Sequence, residues 1–201
     1  MSKKPNLETK LATHTLQSLY VRDMNLVDDM MGKMTFTDTM FYHVMGQRPT
    51  TGQTVVLDAV LVTLMEHGLT PSAIAARMTY MSAPEALQSA VSAGLLNVAS
   101  QFVGTMEGCA GILEKLVADA DGVEAAAKRE VEAARAEHRY LPGFGHHLHK
   151  PDDPRSPKLF EIARAQADVD SRYIEALELL SAAVDAAYGK HLTINATGAT
   201  A

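Results

Sequence analysis

The residues that could do chemistry are concentrated in residues 142–155, PGFGHHLHKPDDPR, inside a chain rich in alanine and leucine. Gly143 and Gly145 lack a Cβ, so backbone N–H groups beside His146 can approach a bulky ligand. The His146 imidazole can donate a hydrogen bond to an oxygen that gains negative charge, or accept a hydroxyl proton, near neutral pH. Arg155, nine residues later, carries a planar fork that matches a carboxylate. This spacing predicts a site for an oxygen-rich ligand.

The residues just before the arginine predict a turn. Asp152 and Asp153 favour local bonds between side chain and backbone, and Pro154 fixes its own φ. Such a turn would bring Arg155 back toward the histidine.

Two other interpretations of this segment stay open. A surface connector rich in proline and glycine would carry the same polar residues simply solvated. A metal site is the second, because His146, His147 and His149 offer three imidazoles. Their i, i+1, i+3 spacing aims the rings apart, and neither a cysteine nor an HExxH pattern accompanies them. The sequence therefore disfavours the metal interpretation, and no metal ligand is assigned.

The composition indicates which elements must position these residues. Of 201 residues, 47% are apolar but only 5% are aromatic, and tryptophan is absent. Strands draw on aromatic and β-branched residues, so the expected fold class is all-α. The length permits one large domain or two small ones.

Charge and hydropathy exclude several classes of partner. The net charge of -6 argues against nucleic acid, since no basic cluster reverses it locally. The longest apolar run, residues 55–65, is interrupted by Asp58 and is too short to cross a membrane. Residues 1–10 lack the apolar core of a signal peptide, and the single Cys109 cannot form an intrachain disulfide. We therefore expect a cytoplasmic protein.

Apolar periodicity and caps predict a series of helices. Thr35 or Thr37 can cap one helix, Thr70 followed by Pro71 another, and Gly189 can end the last. Apolar periodicity predicts helices over residues 26–31, 36–45, 72–81, 123–138, 157–166 and 173–188. Two more are predicted to begin at Val55 and near Pro84.

The pairing of PGFGH with DPR resembles the citrate synthase superfamily, and the form PGFGHxLHKxxDPRxPxLF resembles its shorter, citryl-CoA lyase-like branch. Residues 64–68 are similar to the family segment that contains Asp-His-Glu or Asp-His-Gly. LTINATGA, near the end of the chain, is similar to the family's Asn-Val-Asp-Gly region. The resemblance covers most of the chain, in order.

The resemblance implies an all-α, two-domain, homodimeric fold that closes on a 2-oxo acid and an acyl-CoA. It implies large-domain helices in residues 1–100, a small domain with the PGFGH loop in residues 101–195, and a return segment in residues 196–201. Because relatives continue with further helices, we expect the chain to lack the C-terminal ones.

The resemblance also implies roles for single residues. His67 and His146 would contact the oxo acid, His146 would be catalytic, and Arg155 would hold a carboxylate. Lys150 would lie near the phosphates of coenzyme A, which is a substrate and not a tightly bound cofactor. The adenine would face the backbone of Leu141, Gly143, Phe144 and Gly145.

The chain departs from the family pattern at two chemical positions. Val103 stands where synthases place a histidine, which favours the lyase-like branch. Thr197 stands in place of the catalytic aspartate, and a hydroxyl is no base near neutral pH without help. Two functions follow: an enzyme that makes or cleaves the bond between acetyl-CoA and a 2-oxo acid such as oxaloacetate, or a non-catalytic binder of acyl-CoA or dicarboxylate. A third possible function is that of a purely helical interaction module.

Overall fold

The structure, a computed structural model, describes residues 9–99, 101 and 103–201. The chain divides into two compact units between Asp58 and Ala59. The predicted boundary at Ser100 and residue Phe102 of the following turn lie outside the described residues. The assignment of a large and a small domain stays a prediction.

The first unit begins with a small antiparallel sheet, which the sequence did not predict. Its strands β1 (Ala12–His14), β2 (Leu19–Val21) and β3 (Met24–Asn25) lie in that order. Strands of two or three residues are too short to show an alternating pattern. The helix predicted over residues 26–31 is a single π-helical turn, Leu26–Met30.

The chain continues with two helices, α1 (Phe36–Met45) and α2 (Thr51–Leu64). Thr35 caps α1, accepting from the Asp38 N–H while the Asp38 side chain accepts from the Thr35 N–H. Gly46 ends the helix in the left-handed conformation at φ 78°. The bounds predicted for α1 are confirmed.

The second unit is helical, so the expected all-α class is confirmed apart from the small sheet. The Thr70 cap and the Gly189 end are also confirmed. In the described range no helix is both long and apolar enough to cross a membrane. The helices are α3 (Pro71–Ser82), α4 (Leu87–Leu96), α5 (Thr105–Val117), α6 (Val123–Ala136), α7 (Arg155–Arg164), α8 (Arg172–Tyr188) and α9 (Ala196–Ala199).

The core of the second unit lies where α5, α6 and α8 meet. Leu113, Val131 and Leu180 are fully buried there. Cys109 is also fully buried, and burial raises the pKa of its thiol to about 11. The thiol therefore stays neutral, as expected for a core residue and not for a nucleophile.

The loop after α6 crosses the last segment of the chain at a backbone-to-backbone contact. Gly143 has φ +90°, and a Cβ built there would lie 2.8 Å from Cys109 Sγ and 2.9 Å from Gly198 Cα. A Cβ on Gly198 would lie 2.5 Å from the Gly143 carbonyl oxygen. Any side chain at Gly143 or Gly198 would push the two backbone segments apart.

We predict that Gly143→Ala lowers the free energy of unfolding by about 3 kcal/mol or more, because left-handed strain adds to the overlap with Cys109 and Gly198. Gly145→Ala is the matched control, since Gly145 has φ +85° but a Cβ at that position would have nothing within 4 Å. It should cost only the strain, about 1–2 kcal/mol. Urea denaturation measures both, and equal losses would contradict the close-contact explanation.

Candidate active site

The PGFGH loop is held by the segment that precedes α9. The Gly145 N–H donates to the Thr193 carbonyl (2.7 Å), and the Asn195 N–H donates to the Gly143 carbonyl (3.0 Å). The Asn195 side-chain amide donates to the Gly145 carbonyl (2.9 Å). The loop therefore has a fixed backbone.

These contacts change the interpretation of the two glycines. The sequence predicted that they free backbone N–H groups for a ligand, but the Gly145 N–H is bonded inside the protein. Gly143 is buried against Cys109 and Gly198. The glycines allow the loop to pack and turn. The group that the loop offers to a ligand is therefore the side chain of the next residue, His146, and not the glycine backbone.

That side chain is His146, and its tautomer is set by the backbone. Nδ1 accepts hydrogen bonds from the N–H groups of Leu148 (3.1 Å) and His149 (2.9 Å). The ring proton therefore resides on Nε2, which makes this nitrogen a hydrogen-bond donor. Burial and the nearby charge of His149 lower the pKa of His146 despite the opposing charge of Asp153. The neutral ring supports the donor role and not the alternative in which it accepts a hydroxyl proton.

The three histidine rings lie together. The His146 ring stacks on His147 with centroids 4.8 Å apart, and it lies 4.4 Å from the His149 ring at an interplanar angle of 33°. The expectation that their spacing aims the rings apart is therefore wrong: α-helical or extended geometry does not apply in this turn.

A metal-like arrangement results, but its chemistry is unfavourable for a metal. Ligand atoms of His146, His149 and Asp153 lie within 4.8 Å of one another. The proton on His146 Nε2 occupies the lone pair that a metal would need. Both carboxylate oxygens of Asp153 already accept from Arg155. The absence of a metal stays a prediction, now supported by the tautomer and not by the spacing.

Arg155 forms an ion pair with Asp153 at the start of α7. Arg155 Nε donates to Asp153 Oδ1 (2.9 Å) and its NH2 group donates to Oδ2 (2.7 Å). Asp153 Oδ1 also accepts from the Arg155 backbone N–H (3.1 Å), so the predicted local bond from an aspartate is confirmed. The turn aligns the guanidinium before any ligand binds.

The electrostatics of this pair keep both groups charged. Burial by itself would raise the pKa of the fully buried Asp153, but hydrogen bonds and charge from Arg155 hold it below its ordinary value. The bonds to Asp153 raise the pKa of Arg155. They use two of the five N–H donors of the guanidinium, so its outer edge can still bind a substrate carboxylate.

The other predicted site residues lie in different environments. His67 is exposed in the loop between α2 and α3, and none of the described residues forms a hydrogen bond with its ring. Lys150 is exposed, Phe144 is half-buried, and Leu141 is buried together with Gly143. Their roles toward substrate and coenzyme A stay predictions.

Thr197 belongs to a hydrogen-bond network of side chains that reaches the PGFGH loop. Thr105 Oγ1 lies 3.2 Å from Thr197 Oγ1, and the Thr197 hydroxyl donates to Asn195 Oδ1 (2.6 Å). The Asn195 amide in turn holds the Gly145 carbonyl. Thr197 therefore supports the loop, and no carboxylate is supplied at this position.

The sequence assigned no role to Asn195, and it gave Asp153 only a bond within the turn and His149 only a place in the disfavoured metal alternative. The Asn195 contacts with the loop and the ion pair of Asp153 with Arg155 depend on the folded loop. A signal for His149 existed, since it lies three residues after His146 in a segment already singled out.

Comparison with known proteins gives one family. The family model described as citrate synthase, C-terminal domain, matches residues 9–201. No curated protein matches the chain.

Solved structures share the fold. A citryl-CoA lyase from Hydrogenobacter thermophilus matches with a TM-score of 0.86 and 28% identity over 96% of this chain and 73% of the other. An ATP citrate lyase from Methanothrix soehngenii, in complex with citrate and coenzyme A, matches with a TM-score of 0.85 and 19% identity over 100% of this chain and 32% of its own. A citrate synthase from Thermotoga maritima MSB8 matches with a TM-score of 0.62 and 22% identity, over 82% and 44%.

We predict that ¹⁵N NMR of the histidine rings will show His146 protonated at Nε2 at neutral pH, because two backbone N–H groups point at Nδ1. With its pKa lowered, the ring should take a second proton only below about pH 6.5, the ordinary value for histidine. His146→Ala identifies the signal. An Nδ1–H tautomer would contradict the assignment.

Proposed function

The chain belongs to the citrate synthase family, and from that premise we propose that it makes or cleaves the carbon–carbon bond between an acyl-CoA and oxaloacetate or a related 2-oxo acid. The similarity to a citryl-CoA lyase at 28% identity supports the lyase-like branch. We include a cytoplasmic location in the proposal, consistent with the free Cys109.

One observation carries this proposal: a neutral histidine donor and a charged arginine are grouped at one buried carboxylate, Asp153. His146 presents Nε2–H and has a ring nitrogen within 4.8 Å of an Asp153 oxygen, and Arg155 binds both oxygens of that carboxylate. The outer edge of Arg155 can bind one carboxylate of a citrate-type substrate while His146 donates to the neighbouring oxygen. A substrate that carries both a carboxylate and a reacting oxygen requires a cation for the first and a hydrogen-bond donor for the second.

In the cleavage direction, the citryl hydroxyl gives its proton to solvent water and becomes an alkoxide that His146 Nε2–H stabilises. The carbon–carbon bond then breaks, the oxygen becomes the carbonyl of the oxo acid, and the electron pair of the broken bond moves to the acetyl carbon. That carbon takes up one proton from water, so the proton lost by the hydroxyl is balanced. Condensation is the reverse, with the same donor on the same oxygen. Lys150, exposed beside the loop, would meet the coenzyme A phosphates.

A specific observation favours a second candidate, a non-catalytic binder of acyl-CoA or dicarboxylate. The acetyl carbon must exchange a proton, and the hydroxyl of Thr197 is bonded to Asn195 where the resemblance implies a carboxylate. Val103 cannot polarise a thioester. Binding and alkoxide stabilisation need neither residue, so ligand affinity can persist where turnover does not.

We predict that the purified chain releases oxaloacetate from citryl-CoA and that His146→Ala lowers kcat about a hundredfold, since one donor to a developing oxyanion contributes about 3 kcal/mol. His14→Ala is the control, because it removes an exposed imidazole in β1, outside the PGFGH loop. Unchanged turnover in His146→Ala would exclude the donor role.

Calorimetry with citrate and coenzyme A, run beside the assay, separates enzyme from binder. Heat without turnover favours the binder. In that case Thr197→Asp, which restores a carboxylate where the resemblance implies one, should gain measurable cleavage. If neither heat nor turnover is detected, the purely helical interaction module is the remaining function.

We also propose that the chain forms a homodimer through an apolar groove on the α3–α4 hairpin. The groove has a volume of about 410 Å³ and includes the residues Met81, Leu87 and Val91, which are 54–82% exposed. Gly94 lets the two helices approach closely, since a Cβ there would lie 3.4 Å from Ala76 Cβ. Exposed apolar patches of this kind mark interaction surfaces, and the homodimer implied by the family resemblance commits the occupant to a second copy.

We predict that light scattering at micromolar concentration gives twice the 21.7 kDa chain mass and that Val91→Glu shifts it to the monomer. Ala167→Glu, an exposed position between α7 and α8, adds the same charge elsewhere and should leave the dimer intact. A monomeric parent protein, or a Val91→Glu variant of dimeric mass, would contradict the proposed face.

A further inference from the structure

His191 lies between two carboxylates that come from different parts of the fold. Its Nδ1 is 2.6 Å from Asp185 Oδ2, near the end of α8, and its Nε2 is 3.0 Å from Asp152 Oδ1, in the loop before α7. The second oxygen of Asp185 accepts from the Leu192 N–H (2.9 Å). One imidazole thus connects the end of a core helix to the loop that carries the candidate site.

Only the protonated ring can make both contacts as a donor. A neutral imidazole has one N–H, whereas the imidazolium has two and carries the charge that both carboxylates favour. The hydrogen bonds that the ring donates to Asp185 and Asp152 raise the pKa of His191, and the charges of these carboxylates act in the same direction. Burial acts in the opposite direction on this pKa but is a smaller influence than either hydrogen bond.

The contact of His191 reaches the site through one peptide unit. Asp152 is followed directly by Asp153, whose carboxylate aligns the Arg155 guanidinium. The neighbouring segment reinforces this attachment, since the Thr193 hydroxyl donates to the Pro151 carbonyl and the Ser156 hydroxyl donates to the Ile194 carbonyl (2.8 Å). Among these attachments, only the one at His191 contains a group that titrates near neutral pH.

We propose that His191 is a positioning residue: its imidazolium ties Asp152 to Asp185 and thereby fixes the turn that aims Arg155. The structural part of this inference stands on the contacts alone. Its consequence for carboxylate binding rests on the function proposed above.

The direction of the pH effect follows from the raised pKa. The bridge is fully formed below the ordinary histidine pKa of about 6.5 and is lost as the pH rises through the higher value in the folded protein. Once the ring is neutral, it bonds one carboxylate at a time, and the loop end of the bridge is released. Arg155 itself stays charged throughout this range.

The test follows Arg155 directly, without any ligand. The ¹³C-detected Nε shift of Arg155 reports its bond to Asp153 and does not depend on proton exchange with water. We expect this shift to change with pH at the same midpoint as the His191 ring signals. In His191→Gln the shift should lose this pH dependence.

A second variant tests the direction of coupling. Asp152→Asn keeps an oxygen acceptor but removes a charge, so the common midpoint of His191 and Arg155 should move to lower pH. His14→Gln, which removes an exposed imidazole in β1, is the control and should leave both signals unchanged. An Arg155 shift that ignores the His191 titration, or that titrates identically in His191→Gln, would overturn the proposal.

Citrate binding provides the functional readout. Calorimetry should show affinity weakening about fivefold or more above the His191 midpoint, the lower end of typical coupling between sites. His191→Gln should bind with little dependence on pH across that range. If the parent protein binds no citrate while the Arg155 and His191 signals still titrate together, the proposed function fails and the positioning role stands.

Discussion

The fold of the candidate site depends on one close approach of two backbones. The PGFGH loop and the segment before α9 meet at Gly143 and Gly198, where neither position has room for a Cβ. This contact lets Asn195 reach the carbonyls of Gly143 and Gly145. Because Asn195 holds the loop, the backbone N–H groups of the next turn both donate to His146 Nδ1. These two bonds place the ring proton on Nε2.

The same loop combines a neutral donor with a buried ion pair. Asp153 remains ionised although it is fully buried, because Arg155 makes two side-chain bonds to it. Such a pair contributes little net stability once desolvation is included, so its value lies in fixing the arginine. A pre-aligned cation beside a neutral imidazole suits a ligand whose reacting oxygen gains negative charge next to a carboxylate.

The chain preserves the fold of its family more completely than the chemical groups that the resemblance implies. The fold matches those of a citryl-CoA lyase and a citrate synthase, with TM-scores of 0.86 and 0.62. Yet Thr197 and Val103 replace two groups that the family resemblance implies, and Thr197 is occupied in bracing Asn195. Stabilising an alkoxide and moving a proton on carbon are separable tasks, and the described residues are equipped for the first.

The sequence alone determined the helices whose caps and periodicity are local, such as α1 with Thr35 and α8 with Gly189, and it determined the family through PGFGH and DPR. It also paired His146 with Arg155. Only the tertiary structure decided the His146 tautomer, the packing of the His147 and His149 rings against His146, and the bridge at His191, whose carboxylate partner Asp152 lies 39 residues away. The reason is physical: a capping bond forms between neighbours in the chain, whereas these groups acquire their protonation and direction from segments that meet only after folding.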